Sequence, residues 1–171
     1  MVYLHTVQVI FFIRISFLLS WFNILSMINN IDKCFGFVRE FGFQGPFAYQ
    51  INRAFFNDYV KDDLVISVIY DGRFWIEFIR TFKLIPGLNT GETRLHEIDP
   101  KQMQFYDLTL LDRKQRIFKS VEFIDFDDKL LWYYSKLLRH NTYVLQGDLS
   151  KLKESRRFLK LFRRKKSVTP K

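Results

Sequence analysis

The Asp71-Gly72 step between Leu64–Tyr70 and Phe74–Phe82 constrains this chain more than any other feature. Both flanks are rich in β-branched and aromatic residues, and Asp-Gly supplies the positive φ angles of a two-residue hairpin turn. Such a turn sets Tyr70 against Arg73, Val68 against Trp75, Ile66 against Glu77 and Leu64 against Ile79. On the other face Ile69 meets Phe74, Ser67 meets Ile76 and Val65 meets Phe78. Asp63 then lies opposite Arg80, a favourable cross-strand charge pair. Both faces are largely apolar, so a packed layer is required on at least one of them.

Upstream, Phe47, Tyr49, Ile51 and Arg53 alternate with Ala48, Gln50, Asn52 and Ala54, which predicts a further strand, turned at Lys61-Asp62. Gln44, Gly45 and Pro46 mark a turn before it. Ile31, Phe35, Val38 and Phe41 follow the helical period over Ile28–Phe41, with Gly36 as a weak point and Gly42 as a stop. Downstream, Leu84–Arg94 holds Pro86, Gly87, Asn89 and Gly91 and reads as a loop long enough to bind something.

Asp99-Pro100 joins an N-cap to a proline at the first helical position. It predicts a helix carrying Met103, Tyr106, Leu110, Ile117 and Val121 on one face, with a break near Asp112–Lys114. Asp125 opens another helix with a stripe of Phe126, Leu130, Tyr133, Tyr134, Leu137 and Leu138, ended at Asn141. Asp148 caps a last helix reaching about Arg164. Its apolar arc is Leu152, Phe158, Leu159 and Phe162, and its opposite arc is Lys153, Arg156, Arg157, Lys160, Arg163 and Arg164. The expected class is α+β: a three-stranded antiparallel meander packed with C-terminal helices, preceded by an apolar N-terminal helix.

Composition supports a real core, since 48 % of residues are hydrophobic and 20 are Phe. The net charge of +9 is a local property. Residues 151–171 hold ten of the 27 Lys/Arg and one of the 18 acids, which leaves 17 of each in residues 1–150. Three segments follow: an apolar stretch 1–27, an α+β domain 28–150 and a basic amphipathic tail 151–171.

Val7–Met27 is mostly apolar and near the length of a bilayer span. Three readings compete. It is a membrane helix, with Arg14 near an end; or an extension foreign to the folded domain, with Met27 as the native start; or a buried core helix. A cleaved signal peptide lacks both its basic n-region and its small-residue cleavage site.

Chemistry is sparse. Asp125, Asp127 and Asp128 resemble a cation cluster, but acids belong at a helix start in any case. Glu77 lacks the Glu-x-Lys step of nucleases that use such strands. The single cysteine, Cys34, has no nucleophile signature and forms no internal disulfide. The three histidines lie far apart, at no zinc-ligand spacing. There is no phosphate-binding glycine loop and no nucleophile elbow. Neither a cofactor nor a metal is expected.

The segment Tyr59–Tyr70 (YVKDDLVISVIY), its Asp71-Gly72 turn and the Leu145-Gln146-Gly147-Asp148 step resemble small uncharacterised bacterial α+β proteins, some encoded beside polymorphic toxins as immunity factors. The resemblance spans about Ile28–Leu152. It implies a binding role rather than catalysis, with no assigned active residues. Separately, the single cysteine fits a reducing compartment, so the expected location is cytoplasmic, with membrane association as the alternative. The function expected is a non-enzymatic protein-interaction module, with Pro86, Asn89 and Arg94 in the contact loop and exposed aromatics of the hairpin as a second contact region. Two alternatives remain. One is membrane association through residues 7–27 and the basic tail, on an anionic surface. The other is nucleic-acid binding through Lys153, Arg156, Arg157, Lys160, Arg163 and Arg164.

Overall fold

The computed structural model describes residues 26–112, 116–121 and 126–152. It is an α+β fold: a five-stranded antiparallel sheet with an N-terminal helix and C-terminal helices packed against it. Residues 26–35 form helix α1, which tightens into a 3-10 turn over Gly36–Phe41. Ile31, Phe35 and Val38 are fully buried, as the helical period predicts, and Phe41 is half-buried. The turn ends at Gly42, whose N–H bonds the Arg39 carbonyl.

The strands are β1 (Gln44–Ile51), β2 (Ala54–Lys61), β3 (Leu64–Tyr70), β4 (Phe74–Thr81) and β5 (Met103–Tyr106). They lie side by side in chain order. The expected three-stranded meander is therefore the middle of a larger sheet. What reads as one long first strand is itself a hairpin: Ile51 pairs with Ala54, and Asn52 takes φ 54° between them. The next turn is Asp62-Asp63 rather than Lys61-Asp62, with Lys61 opposite Leu64 and Asp62 at φ 51°. Asn and Asp enter the left-handed region more readily than other non-glycine residues, so both hairpins close in two residues. Gln44, Gly45 and Pro46 are not a turn. They belong to β1, where the register skips between Gln44 and Phe47. A bulge on an edge strand absorbs a proline without breaking an inner ladder.

The hairpin at Asp71-Gly72 exists, but its register differs from the two-residue expectation. Asp71, Gly72 and Arg73 form a three-residue loop, Gly72 takes φ 79°, and Tyr70 pairs with Phe74. Every partner moves by one residue: Val68 meets Ile76, Ile66 meets Phe78, and Ser67 meets Glu77. The physical reason lies in the faces. A two-residue turn would put Glu77 opposite Ile66 beneath the helices, whereas the longer loop keeps that row apolar and sends Glu77 to the other side with Ser67. The charge pair survives the shift, because Asp63 sits in the turn and its Oδ2 lies 2.6 Å from Arg80 Nε.

The helix expected after Asp99-Pro100 is replaced by strand β5. The cap forms: Asp99 Oδ1 accepts the Lys101 N–H at 3.0 Å, and Pro100–Gln102 makes one 3-10 turn. Beyond it Met103-Gln104-Phe105-Tyr106 carries a period of two, with Met103 and Phe105 on one face and Gln104 and Tyr106 on the other. These residues pair along β4 from Thr81 to Phe78. An open strand edge has outcompeted a local helix start.

Leu108–Asp112 is a further 3-10 turn, followed by the short helix α2 (Arg116–Lys119). The carboxylate of Asp112 accepts the N–H groups of Arg116 and Phe118 at 2.8 and 3.0 Å, so the break expected at Asp112 is a helix start. Helix α3 (Phe126–His140) agrees with the sequence reading. Tyr133, Leu137 and Leu138 of its stripe are buried, Leu130 and Tyr134 half-buried, and Leu131 joins them. Asn141 Nδ2 bonds the Leu137 carbonyl at 2.8 Å and closes the helix. A one-turn helix α4 (Thr142–Leu145), not foreseen, follows; the Leu145 carbonyl accepts Lys61 Nζ from β2 at 3.2 Å.

The sheet has a core on each face. The helices cover Tyr59, Ile66, Val68, Ile76 and Phe78. The opposite face holds Phe56, Val60, Val65, Ile69 and Ile79, and its cover is the β4–β5 connection, irregular apart from short 3-10 turns such as Leu95–Glu97, bearing Leu88, Leu95 and Ile98. Strand β3 is buried on both sides from Leu64 to Ile69.

Candidate functional site

The connection between β4 and β5 is the segment that sequence reading assigned to partner contact. Its structure assigns it two tasks. Leu88 is 1 % exposed and plugs the second core, so part of the loop is packing. Thr93 Oγ1 bonds the Pro86 carbonyl at 2.7 Å, the Thr93 N–H bonds the Gly87 carbonyl at 3.0 Å, and Thr90 Oγ1 bonds the same carbonyl at 3.1 Å. These bonds tie the loop to itself. It spans the sheet from β4 to β1, where a Cβ on Gly91 would come within 2.5 Å of the Phe47 ring. The three predicted contact residues, Pro86, Asn89 and Arg94, are all exposed on it.

The loop's root carries exposed residues that the sequence reading did not name individually. Phe82 and Leu84 are 65 % and 66 % exposed, flanking the exposed Lys83. The Phe82 N–H bonds the Gln102 carbonyl at 2.9 Å, so the backbone bearing that ring is fixed to the start of β5. Strand patterning hid this feature, since Phe82 reads as the last residue of a strand. The Phe-Lys-Leu run at the end of that strand was the available signal.

Beneath the loop, a polar row crosses the sheet. Asp58 of β2 is opposite Ser67 of β3, which is opposite Glu77 of β4, and all three are buried. The Asp58 carboxylate accepts Tyr49 Oη at 2.6 Å and Ser67 Oγ at 2.5 Å. Burial is the largest influence on this carboxyl and outweighs both hydrogen bonds, raising its pKa to about 6. The same burial, with the Asp58 charge beside it, holds the Tyr49 phenol protonated far above its usual range. A cavity of about 10 Å³, lined by Tyr49, Asp58, Thr93 and Arg94 among others, adjoins the carboxylate. That is room for about one water. The arrangement is a buried hydrogen-bond network beneath the loop, with a water-sized cavity beside it.

Tyr49 also organises the rim. Phe56 stacks on one face of its ring at 5.1 Å with an interplanar angle of 0°. The Arg94 guanidinium lies over the ring 5.5 Å from its centroid. Glu97 is engaged elsewhere, its Oε2 accepting the Arg94 backbone N–H at 2.9 Å.

On the helix side, Asn30, Lys33, Cys34, Asp128 and Trp132 line a cavity of about 60 Å³. Burial, and then the Asp128 charge, push the Cys34 thiol up to about 11, so it is a packed thiol rather than a thiolate nucleophile. Among the described residues no three His, Cys, Asp or Glu side chains converge as a metal site would require. Asp125 and the Asp127 side chain lie outside the described residues, as do residues 7–25 and the tail residues Lys153, Arg156, Arg157, Lys160, Arg163 and Arg164. Asp148 accepts the Ser150 N–H at 3.1 Å and its Oγ at 2.6 Å, but residues 149–152 make a turn where the helix was expected to start, and the rest of that helix lies outside the described residues. No helix among the described residues is long and apolar enough to cross a membrane. No protein-family model, no curated protein and no solved structure matches this chain.

Proposed function

We propose that this protein is a non-enzymatic interaction module that binds another protein through the connection between β4 and β5. The observation that carries this reading is the pair Phe82 and Leu84, held out at the root of a hydrogen-bonded loop. Burying such a side chain is worth about 1.5–3 kcal/mol, so two left in water are a stored driving force for association. A ring on a fixed backbone loses little further freedom on binding, as the anchor residues of interfaces generally do. The resemblance to immunity factors adds a partner class: a toxin domain held in a stoichiometric complex.

The test is affinity capture from the native host with the complete chain and with a Phe82→Ser/Leu84→Ser variant. The expected result is one stoichiometric protein partner, lost by the variant while its circular dichroism and melting temperature stay unchanged. Equal capture by both chains overturns the assignment to this loop, and substrate turnover by the purified chain overturns the non-enzymatic reading.

A further inference from the structure

The outer edge of β1 offers a second surface of a different kind. A two-residue hairpin makes Ile51 and Ala54 a hydrogen-bonded pair, and the pattern alternates along the ladder. Phe47, Tyr49 and Ile51 therefore direct their backbone groups at β2, and Ala48 and Gln50 direct theirs away from it. Both residues are exposed, and among the described residues β1 pairs only with β2.

The open stretch is bounded. On one side Pro46 has no N–H and the Gly45 carbonyl is taken by Arg39 Nε at 2.9 Å. On the other, the Asn52 carbonyl accepts Gln50 Nε2 at 2.7 Å. Between these limits β1 carries no charged residue, the commonest guard of an exposed edge.

Arg94 decides what fits there. Phe56, on the β2 side, stacks on the Tyr49 ring, and on the loop-covered face of the sheet the exposed Arg94 guanidinium and the His96 ring each lie 5.5 Å from the centroid of that ring. Among the described residues Arg94 takes part in neither of the two ion pairs, Asp32–Arg39 and Asp63–Arg80. A strand added to β1 would set one side chain about 4.5–5.5 Å from Tyr49 on that same face. A carboxylate in that place meets Arg94. A second copy of this chain, paired about Tyr49, would instead bring two guanidinium groups together, which is repulsive.

We propose that β1 accepts an extended segment of a partner protein by strand addition, with an Asp or Glu of that segment beside Arg94. The idea rests on the interaction role argued above, but on a different edge of the fold. Backbone pairing with Ala48 and Gln50 supplies the attachment, and the acid supplies the choice of partner.

The probes are three capped peptides, Thr-Val-Thr-X-Thr-Val-Thr, with X as Glu, Gln or Lys. Isothermal calorimetry on the complete chain at low salt is expected to rank Glu above Gln above Lys, with about tenfold between the extremes, narrowing as salt rises. Arg94→Glu is expected to reverse that order. Gln50→Pro removes an outward N–H without touching the β1–β2 ladder and is expected to abolish binding of all three. An unchanged ranking in Arg94→Glu, full binding by Gln50→Pro, no binding of the Glu peptide, or self-association of the chain through this edge would each overturn the proposal. Partner loss in Phe82→Ser/Leu84→Ser alongside peptide failure would leave the interaction role standing and remove strand addition alone.

Discussion

Asp58 shows how burial sets the chemistry of a single group. Its carboxyl titrates near 6 in the folded chain, against an ordinary value of 3.8. The folded state therefore keeps this proton where the unfolded state has lost it. The contribution to stability is present below pH 3.8 and lost as pH rises through about 6, a difference of about 3 kcal/mol at 1.36 kcal/mol per unit. Urea titrations of wild type and Asp58→Asn across pH 4–8 should diverge by about that amount, the variant gaining relative to wild type as pH rises. Parallel profiles would mean that the carboxyl is not buried as described. Two glycines separate conformational strain from steric contact. Gly72 and Gly91 have φ of 79° and 76°, but a Cβ at Gly72 meets nothing, whereas one at Gly91 meets the Phe47 ring at 2.5 Å. Gly72→Ala should cost about 1 kcal/mol for its conformation alone, and Gly91→Ala should cost 1–3 kcal/mol more, measured by chemical denaturation.

At the scale of elements, the loop after β4 is the instructive case. Its glycines and proline read correctly as irregular chain, yet its interior residues behave as a core layer. Leu88→Ala should cost about 2–5 kcal/mol, as core truncations do, and should speed proteolysis within residues 82–94. Asn89→Ala, at an exposed position of the same loop, should leave both unchanged. Strand β5 carries the opposite lesson. Its helix cap is real at Asp99, and its helix is absent because four residues of alternating pattern found a partner in β4. The Asp71–Arg73 loop is subtler still. Asp-Gly announces a hairpin in either register, and only the packing of Ile66, Val68 and Tyr70 against Ile76, Phe78 and Phe74 chooses between them.

For the whole molecule, the consequence of one sheet between two cores is cooperativity. Strand β3 belongs to both, with Ile66 on the helix side and Ile69 on the loop side. Ile66→Ala and Ile69→Ala should each cost about 2–5 kcal/mol and shift a single transition, with near- and far-ultraviolet circular dichroism coinciding in both. Separate transitions would mean that the loop-covered core melts on its own. Local patterns were enough to establish the α+β class, the central hairpin, α1, α3 and the Asp63–Arg80 pair, because period and turn chemistry act over a few residues. They also marked Arg94 and its loop as surface. The hairpin register, the hairpin inside the first strand, β5, the buried Tyr49–Asp58–Ser67 network and the bare Phe82–Leu84 pair were decided only in three dimensions. Each depends on which distant segment lies alongside, and the energy of that choice comes from burial and pairing between residues far apart in the chain.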